Sequence, residues 1–527
     1  MMNVSGSSTD AAIAIASGDT IKEMEVFAAL AGLGAKSLVE TNVGGEIVYH
    51  RLLDTTRNYA LAKLEESESA DLLRSRHAQH HLGLLEQSET DWDTATRQEW
   101  LAIYGHLVED VRAAIDFSFG ELGNAPLGVS LVAAAMPLFL QLRLVDEAER
   151  IGRRALAQIA KMTPPDLRAE LVISYNLGGL AQQTARSADG ADLLERAMVL
   201  SEKLAQPRYR IGMLVGRWVI SFGAADYETA NAVSRQLTEV AALDPDPRGR
   251  LTADRVMAQT MHFRGDHTRA RAIAERVIIH PAGQLPFAHS QSPIDRRVSM
   301  SIIIARILWL QGLPDQAVAV ADQAIDLAEN DSAFSLSQVL ALAACPIALW
   351  RGDYDLAERR IGQLIDTATE MTAQYFVDWG KALRRCLSAL TNVPERQSFA
   401  EGSSEKLTDL IATVVPVLPS MKTLQRAKSG LVPWAAPEIL RVAAGMMDPE
   451  AIDARQALLI EGLDMARSQG AVAWELRIAT DLATLWSSTS RRRDGLAMLE
   501  QLHARFREGH ATRDLRNAVA VLTHLSA

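Results

Sequence analysis

Trp350-Arg351-Gly352-Asp353-Tyr354-Asp355-Leu356-Ala357 describes a helix that ends, turns and restarts. Gly352 supplies the backbone freedom for leaving a helix, Asp353 can cap the next one, and Ala357 is small enough for two helices to approach closely. The same grammar stands at Gly312-Leu313-Pro314-Asp315-Gln316-Ala317, where Pro314 suits a first helical turn, and at Gly265-Asp266-His267-Thr268-Arg269-Ala270. Looser copies without the glycine run from Ala225-Asp226-Tyr227 to Ala230, from Arg186 to Ala191 and from Arg143 to Ala148. The anchors 143, 186, 225, 265, 312 and 352 are separated by 43, 39, 40, 47 and 40 residues. Steps of that length hold two helices of roughly four turns each plus two turns, a unit somewhat longer than the tetratricopeptide repeat of about 34 residues. The predicted fold class is all-α: a superhelical solenoid of tetratricopeptide-like helical hairpins, each completed by its neighbours because none can bury its apolar face alone.

Composition agrees with helix. Of 527 residues, 48% are hydrophobic and only 5% aromatic, with Ala and Leu left to carry the core. A net charge of -11 argues against the whole chain as a nucleic-acid or anionic-membrane binder. Cys345 and Cys386 are the only cysteines; both fall in predicted helices, which excludes a disulfide framework and suits a cytoplasmic location. No export signal is expected, since Met1 to Ser8 is polar and the apolar run Ala11 to Ala16 is short. The uncharged stretch Leu122 to Leu142 imitates a membrane span, but Gly123, Asn124, Pro126, Gly128 and Pro137 make it a poor hydrocarbon segment. It is expected to be the buried first helix of a repeat, and no membrane partner is predicted.

The predicted order of segments is a weakly structured leader at 1–21, a winged-helix-like unit at 22–75, and a helical connector at 76–120. Repeats follow at 121–390, an irregular or loop-rich insertion at 391–436, and C-terminal helical repeats at 437–527. Lys22 to Leu38 carries Val26, Leu30 and Leu33 at helical spacing. Ser37 to Thr41 and Glu46 to Leu52 flank Asn42-Val43-Gly44-Gly45 and form the one β signal in the chain. A helix with Tyr59, Ala60, Leu61 and Leu64 on its apolar side follows, with Asp54 placed to cap it. Helix, two-stranded wing, helix outlines a winged-helix unit; an unrelated hairpin between helices has the same outline. The phosphate-loop look of Gly32-Leu33-Gly34-Ala35-Lys36-Ser37 is misleading, because such a loop needs four residues between its first glycine and Gly-Lys-Ser/Thr, and no glycine immediately precedes Lys36.

The run Ala31 to Val39, then Arg51 to Leu64, resembles the winged-helix segment that follows the ATPase module in bacterial signal-transduction ATPase regulators with numerous domains. Arg74-Ser75-Arg76-His77-Ala78 departs from the family phrase, which has two adjacent arginines before His-Ala. Trp100 to Phe117, Phe287 to Arg297, Trp309 to Ala317, Trp474 to Arg477, Leu482 to Trp486 and Phe506 to Leu515 resemble its helical text. In that family a DNA-binding winged helix similar to response-regulator output domains precedes the ATPase, and helical repeats follow. The resemblance implies the carboxy-terminal part of such a regulator, lacking the ATPase and DNA-binding domains, so neither ATP hydrolysis nor promoter binding can be carried over.

Other constellations have bland readings. His77, His80 and His81 lie at i, i+3 and i+4 on a helix, yet no carboxylate or cysteine at characteristic spacing completes a metal set, and they are expected to be solvated. Arg491-Arg492-Arg493 reads as a solvated corner, and Asp353 with Asp355 as helix-cap residues. No catalytic, cofactor-binding or metal-binding residue is assigned, no cofactor is predicted, and the chain is expected not to be an enzyme. The functional expectation is a sensor and protein-interaction module of a bacterial transcriptional regulator. Its partner would be a protein, an ATPase or a DNA-binding regulator in trans, or a small-molecule effector bound on the repeat surface. The alternatives are a stand-alone repeat scaffold or truncated relic, and direct DNA binding through residues 22–67, which the acidic total and the lack of a basic recognition helix disfavour.

Overall fold

The computed structural model describes residues 7–18, 21–42, 49–92, 95, 97–184, 190–281, 295–391, 404–418 and 420–526. The chain divides into two compact units, residues 1–213 with 285–289 and residues 214–284 with 290–527. The architecture is all-α, built of antiparallel helical hairpins with one small sheet among the described residues.

The first unit begins with β1 (Ser7–Ser8), α1 (Thr9–Ala16), α2 (Glu23–Ala35), β2 (Val39–Asn42), β3 (Tyr49–Leu52) and α3 (Asp54–Glu65). The leader expected to be weakly structured instead contributes a strand and a helix. Its Ser8 hydroxyl accepts the Ala11 N–H at 3.1 Å and caps α1, which buries Ile15. The expected two-stranded hairpin is present, pairing Val39 with Leu52 and Thr41 with His50, and β1 adds to the other edge of β3. His50, on the central strand, meets Thr9 Oγ1 at the start of α1 at 2.9 Å and Thr41 Oγ1 on β2 at 3.2 Å. The side chain of Asp54 and the turn at 43–48 lie outside the described residues.

Next come α4 (Ala70–Asp91), α5 (Arg97–Tyr104), α6 (Val108–Ser118), and the hairpins α7 (Ala125–Gln141) with α8 (Val145–Ile159) and α9 (Leu167–Thr184) with α10 (Gly190–Lys203). The uncharged stretch is the core helix expected of it: Asn124 caps α7 by accepting the Leu127 N–H, and Val129, Leu131, Val132, Met136 and Phe139 are fully enclosed. At the following turn Arg143 adopts φ 59°, a conformation that glycine takes more easily. The anchor at Arg186 lies outside the described residues.

The division between units falls inside α11 (Pro207–Gly223). The second unit continues with α12 (Tyr227–Ala241), α13 (Pro247–Phe263), α14 (His267–Ile279), α15 (Arg296–Leu310) and α16 (Pro314–Glu329). Helix α17 (Ala333–Val339) runs through a π-helical turn, Leu340–Ala344, into α18 (Cys345–Arg351), followed by α19 (Tyr354–Glu370) and α20 (Gln374–Thr391). The quoted turn behaves as its residues dictate. Gly352 has φ 77°, and the Asp353 carboxylate accepts the Leu356 N–H at 3.1 Å. Asp226 and Asp266 cap their helices in the same way. Ala333–Arg351 is long and apolar enough to cross a membrane, but 78% of its apolar window is buried in the unit, as befits a core helix.

The stretch expected to be irregular contains α21 (Glu405–Val414) and α22 (Met421–Lys428); residues 392–403 are not described. Helices α23 (Ala436–Met446), α24 (Ile452–Gln469), α25 (Val472–Trp486), α26 (Arg492–His503) and α27 (Arg513–Ser526) complete the chain. The forty-residue rhythm resumes: Gly430, Gly470 and Gly509 all have positive φ, 40 and 39 residues apart. The two sets of turns meet in register. A Cβ on Gly312 would lie 2.9 Å from Phe506, one on Gly352 would lie 2.8 Å from Arg513 Cβ, and one on Gly509 would collide with Pro314.

Gly312→Ala is expected to lose stability both from its backbone and from this close approach, by about 2–3 kcal/mol in all. Gly470→Ala, whose φ is 64° and whose added Cβ meets nothing within 4 Å, should lose only about 1 kcal/mol. Denaturant unfolding followed by tryptophan fluorescence measures both, and equal losses would refute tight packing of the two turn rows.

Candidate functional site

The phosphate-loop imitation occupies the carboxy-terminal end of α2. There Lys36 N–H donates to the Gly32 carbonyl, Leu38 N–H donates to Leu33, and Ser37 takes φ 56°. A helix end of that polarity presents carbonyls, so the place repels phosphate. Arg491 and Arg492 are more engaged than a solvated corner. Arg491 lies 3.6 Å from the Trp486 ring centroid, and the Arg492 guanidinium caps α27 through the His524 and Leu525 carbonyls.

Of the three histidines expected to be solvated, two are buried and His80 is partly buried. His77 and His81 are each only 4% exposed, and they converge on Asp110, which α6 brings to α4 from 29 residues beyond His81. The His77 and His81 rings are 4.2 Å apart. Burial, reinforced by His77, pushes the His81 imidazole down to about 4, so it is neutral near pH 7. Spacing along one helix predicts that these rings neighbour each other but says nothing of the helix that covers them.

In the second unit a seam of aromatic rings and cations joins α13, α15 and α18 to α21, α23 and α25. Trp309, Trp350 and Trp474 are in mutual ring contact, and Trp434 contacts Trp350 and Phe263. Arg306 lies 4.5 Å from the Trp434 centroid. Its Nε donates to His262 Nε2 at 2.9 Å, and its Nη1 to the Leu342 carbonyl at 2.7 Å. That carbonyl is free because Pro346, four residues on, has no N–H to give it. Arg477 donates to the carbonyls of Trp350 and Thr413, at the ends of α18 and α21, and to Glu438 and Asp514. Burial works against its charge, but Asp514 and Glu438 hold its pKa above the ordinary arginine range. The repeat face expected to receive a partner is therefore covered, along this seam, by the chain's own helices.

Lys406 is the costly member. It sits in the first turn of α21, where the helix dipole disfavours a cation, with Nζ 3.9 Å from the Phe222 centroid and 5.1 Å from that of Phe263. Burial, then the Arg306 charge, lowers its pKa from 10.5 to about 7.

The remaining feature is exposure. Eight large apolar side chains, Ile21, Met24, Phe27, Leu33, Leu38, Leu53, Tyr59 and Leu72, stand at least 36% exposed within residues 21–72, against fourteen in the rest of the described chain. Met24 is 75% and Tyr59 67% exposed. The helix α3, expected to carry an apolar side inward, presents Tyr59 and Ala60 to solvent. Unpartnered apolar surface at that density marks an interaction surface more often than a free one. An open cleft of about 490 Å³ lies between α11 and α12, lined by Arg217, Glu228, Thr229, Ala232, Val233 and Gln236. It gathers no nucleophile–base pair.

No protein-family model matches the chain, and no curated protein matches it. Among solved structures it is similar to a Rap protein complexed with competence and sporulation factor, at 13% identity and a TM-score of 0.38, over 76% of this chain and 97% of that one. It is also similar to Scc4 in complex with Scc2n, at 10% identity and a TM-score of 0.36, over 98% of this chain and 96% of that one.

Lys406→Met tests the seam. The lysine's folded pKa lies below its unfolded value, so between about pH 7 and 10.5 the unfolded chain holds the extra proton and stability rises with pH; below pH 7 the burial penalty is present in full. The substitution should raise stability at pH 7 by about 1–3 kcal/mol and flatten that rise in a series of thermal melts. An unchanged slope would show that the ammonium is not desolvated.

Proposed function

We propose that the chain is a non-enzymatic sensor and protein-interaction module of a bacterial transcriptional regulator, docking on its partner through residues 21–72. The observation that carries this reading is the concentration of exposed apolar side chains there, above all Met24, Phe27 and Tyr59. Aromatic and methionine side chains standing in water cost free energy that a covering partner recovers, and such residues dominate interface energetics. The partner favoured is an ATPase or a DNA-binding regulator acting in trans. The support is the likeness of Ala31 to Val39 and Arg51 to Leu64 to a segment that follows an ATPase module. A stand-alone scaffold is the second reading, and the self-covered repeat face at Trp309, Trp350 and Trp474 favours it, since that face offers a partner no free row of helices.

Affinity capture from native lysate by the full chain, compared with a Met24→Glu, Phe27→Glu, Tyr59→Glu variant, separates the readings. All three side chains are exposed, so the variant should keep its melting temperature within the small range of surface changes. It should recover at least tenfold less of an ATPase or DNA-binding protein. Recovery of other proteins with the same sensitivity would sink the regulator assignment and leave the interaction module. Capture indifferent to the three charges would sink both.

A further inference from the structure

Four of the chain's twelve histidines, His77, His80, His81 and His106, fall within thirty residues of one another around the Asp110 carboxylate. The contacts are poor as hydrogen bonds. His77 Nε2 stands 3.4 Å from Asp110 Oδ1, and His81 Nε2 stands 3.8 Å from Oδ2. They are good as edges of a coordination polyhedron. Bonds of about 2.1 Å to a tetrahedral zinc set the donor atoms about 3.4 Å apart. One donor atom from each of His77, His81 and Asp110 lies within 4.8 Å of the other two, so the set closes on an ion by side-chain adjustments of about an ångström.

Two further details fit a ligand set. His81 Nδ1–H donates to the His77 carbonyl at 2.8 Å, which fixes the tautomer and leaves the Nε2 lone pair turned toward Asp110. A backbone carbonyl on the far nitrogen is the usual outer partner of a metal-bound imidazole. Asp110, 13% exposed, leaves a path from solvent.

We infer that His77, His81 and Asp110 form a three-residue binding site for a borderline divalent cation of the zinc class, tying α4 to α6 and leaving the fourth position to solvent. Two imidazoles and one carboxylate suit that class, and no thiolate or oxygen-rich shell stands among the described residues there to select a softer or harder ion. The i, i+4 pair supplies two ligands from one helix face, and Asp110 supplies the cross-link that a pair on a single helix lacks.

The test is a titration of chelator-treated full-length chain with Zn2+ against a chromophoric competitor, repeated for His81→Gln and Asp110→Asn. The expected result is one equivalent bound with a submicromolar Kd, and at least a tenfold weakening in each variant. Co2+ loaded into the wild-type chain should give the intense visible bands of a tetrahedral ion; weak octahedral bands would overturn the zinc-class site. The wild-type chain decides even where a variant fails to fold. No saturable equivalent, or binding that both substitutions leave unchanged, would overturn the assignment in favour of a plain hydrogen-bonded histidine core. A drop in stability of the metal-free variants equal to that of the metal-loaded ones would do the same.

Discussion

Arg477 holds the second unit together by satisfying what helix termination leaves undone. Every α-helix ends in carbonyls without partners, and where two such ends are buried side by side the deficit is partly charged as well as polar. Helices α18 and α21 end in this way, at Trp350 and Thr413, and one guanidinium donates to both. A lysine could not replace it, because its three donors radiate from one point and cannot span two carbonyls and two carboxylates in a plane. Glu438 and Asp514 then supply the counter-charge that makes a buried cation tolerable, and they come from α23 and the start of α27. One side chain thus fixes five helices, α18, α21, α23, α25 and α27.

Arg306 repeats the principle with a different origin. Pro346 removes an N–H from the middle of a long apolar helix, the backbone slips into a π turn at Leu340–Ala344, and the abandoned Leu342 carbonyl takes a hydrogen bond from Arg306. The tryptophans beside both arginines cover the cations' faces while the edges make hydrogen bonds. Buried ionic contacts of this kind add little net stability, since removing charge from water consumes most of what pairing returns. What they specify is register: the row that passes Gly312 and Gly352 can meet the row that passes Gly470 and Gly509 in one alignment only.

How much of this could be read from the chain depends on whether the causal residues are near in sequence. The hairpin grammar was legible because a cap, a left-handed turn and a small contact residue must lie within six positions, as Gly352, Asp353 and Ala357 do. The continuation of the rhythm through Gly430, Gly470 and Gly509 was not. After residue 391 the glycines precede the helices of the seam where Gly265, Gly312 and Gly352 follow them, so a search for Gly-Asp before an alanine passes over them. The ordered start of the chain was missed for a comparable reason: Ser8 is an ordinary cap, but its helix is eight residues long and is stabilised by α4, some sixty residues away, where Arg76 donates to the Ser17 carbonyl. His77 and His81 show the limit most sharply. Their shared face is written in the spacing, whereas their burial depends on α6, and no local pattern announces that Asp110 will face them.

The two halves of residues 1–213 differ in how completely they enclose themselves, and this bears on what each is for. From α4 onward the apolar side chains close over Trp100, Val111, Phe139 and their neighbours, and buried polar groups find partners inside: the Trp100 indole donates to the Ser88 carbonyl, and His77 and His81 converge on Asp110. Residues 21–72 bury little beyond Val26, Leu30, Val39 and Ala70, with His50 on β3 meeting the hydroxyls of Thr41 on β2 and Thr9 at the start of α1. A segment of about fifty residues cannot shield a core of its own, because its surface grows too large relative to its volume. Met24, Phe27 and Tyr59 are on the outside because two short strands and two helices have no inside large enough to receive them. Substitutions on the exposed face of that segment are then expected to leave folding alone, while those at the buried His50 or Leu30 act on folding.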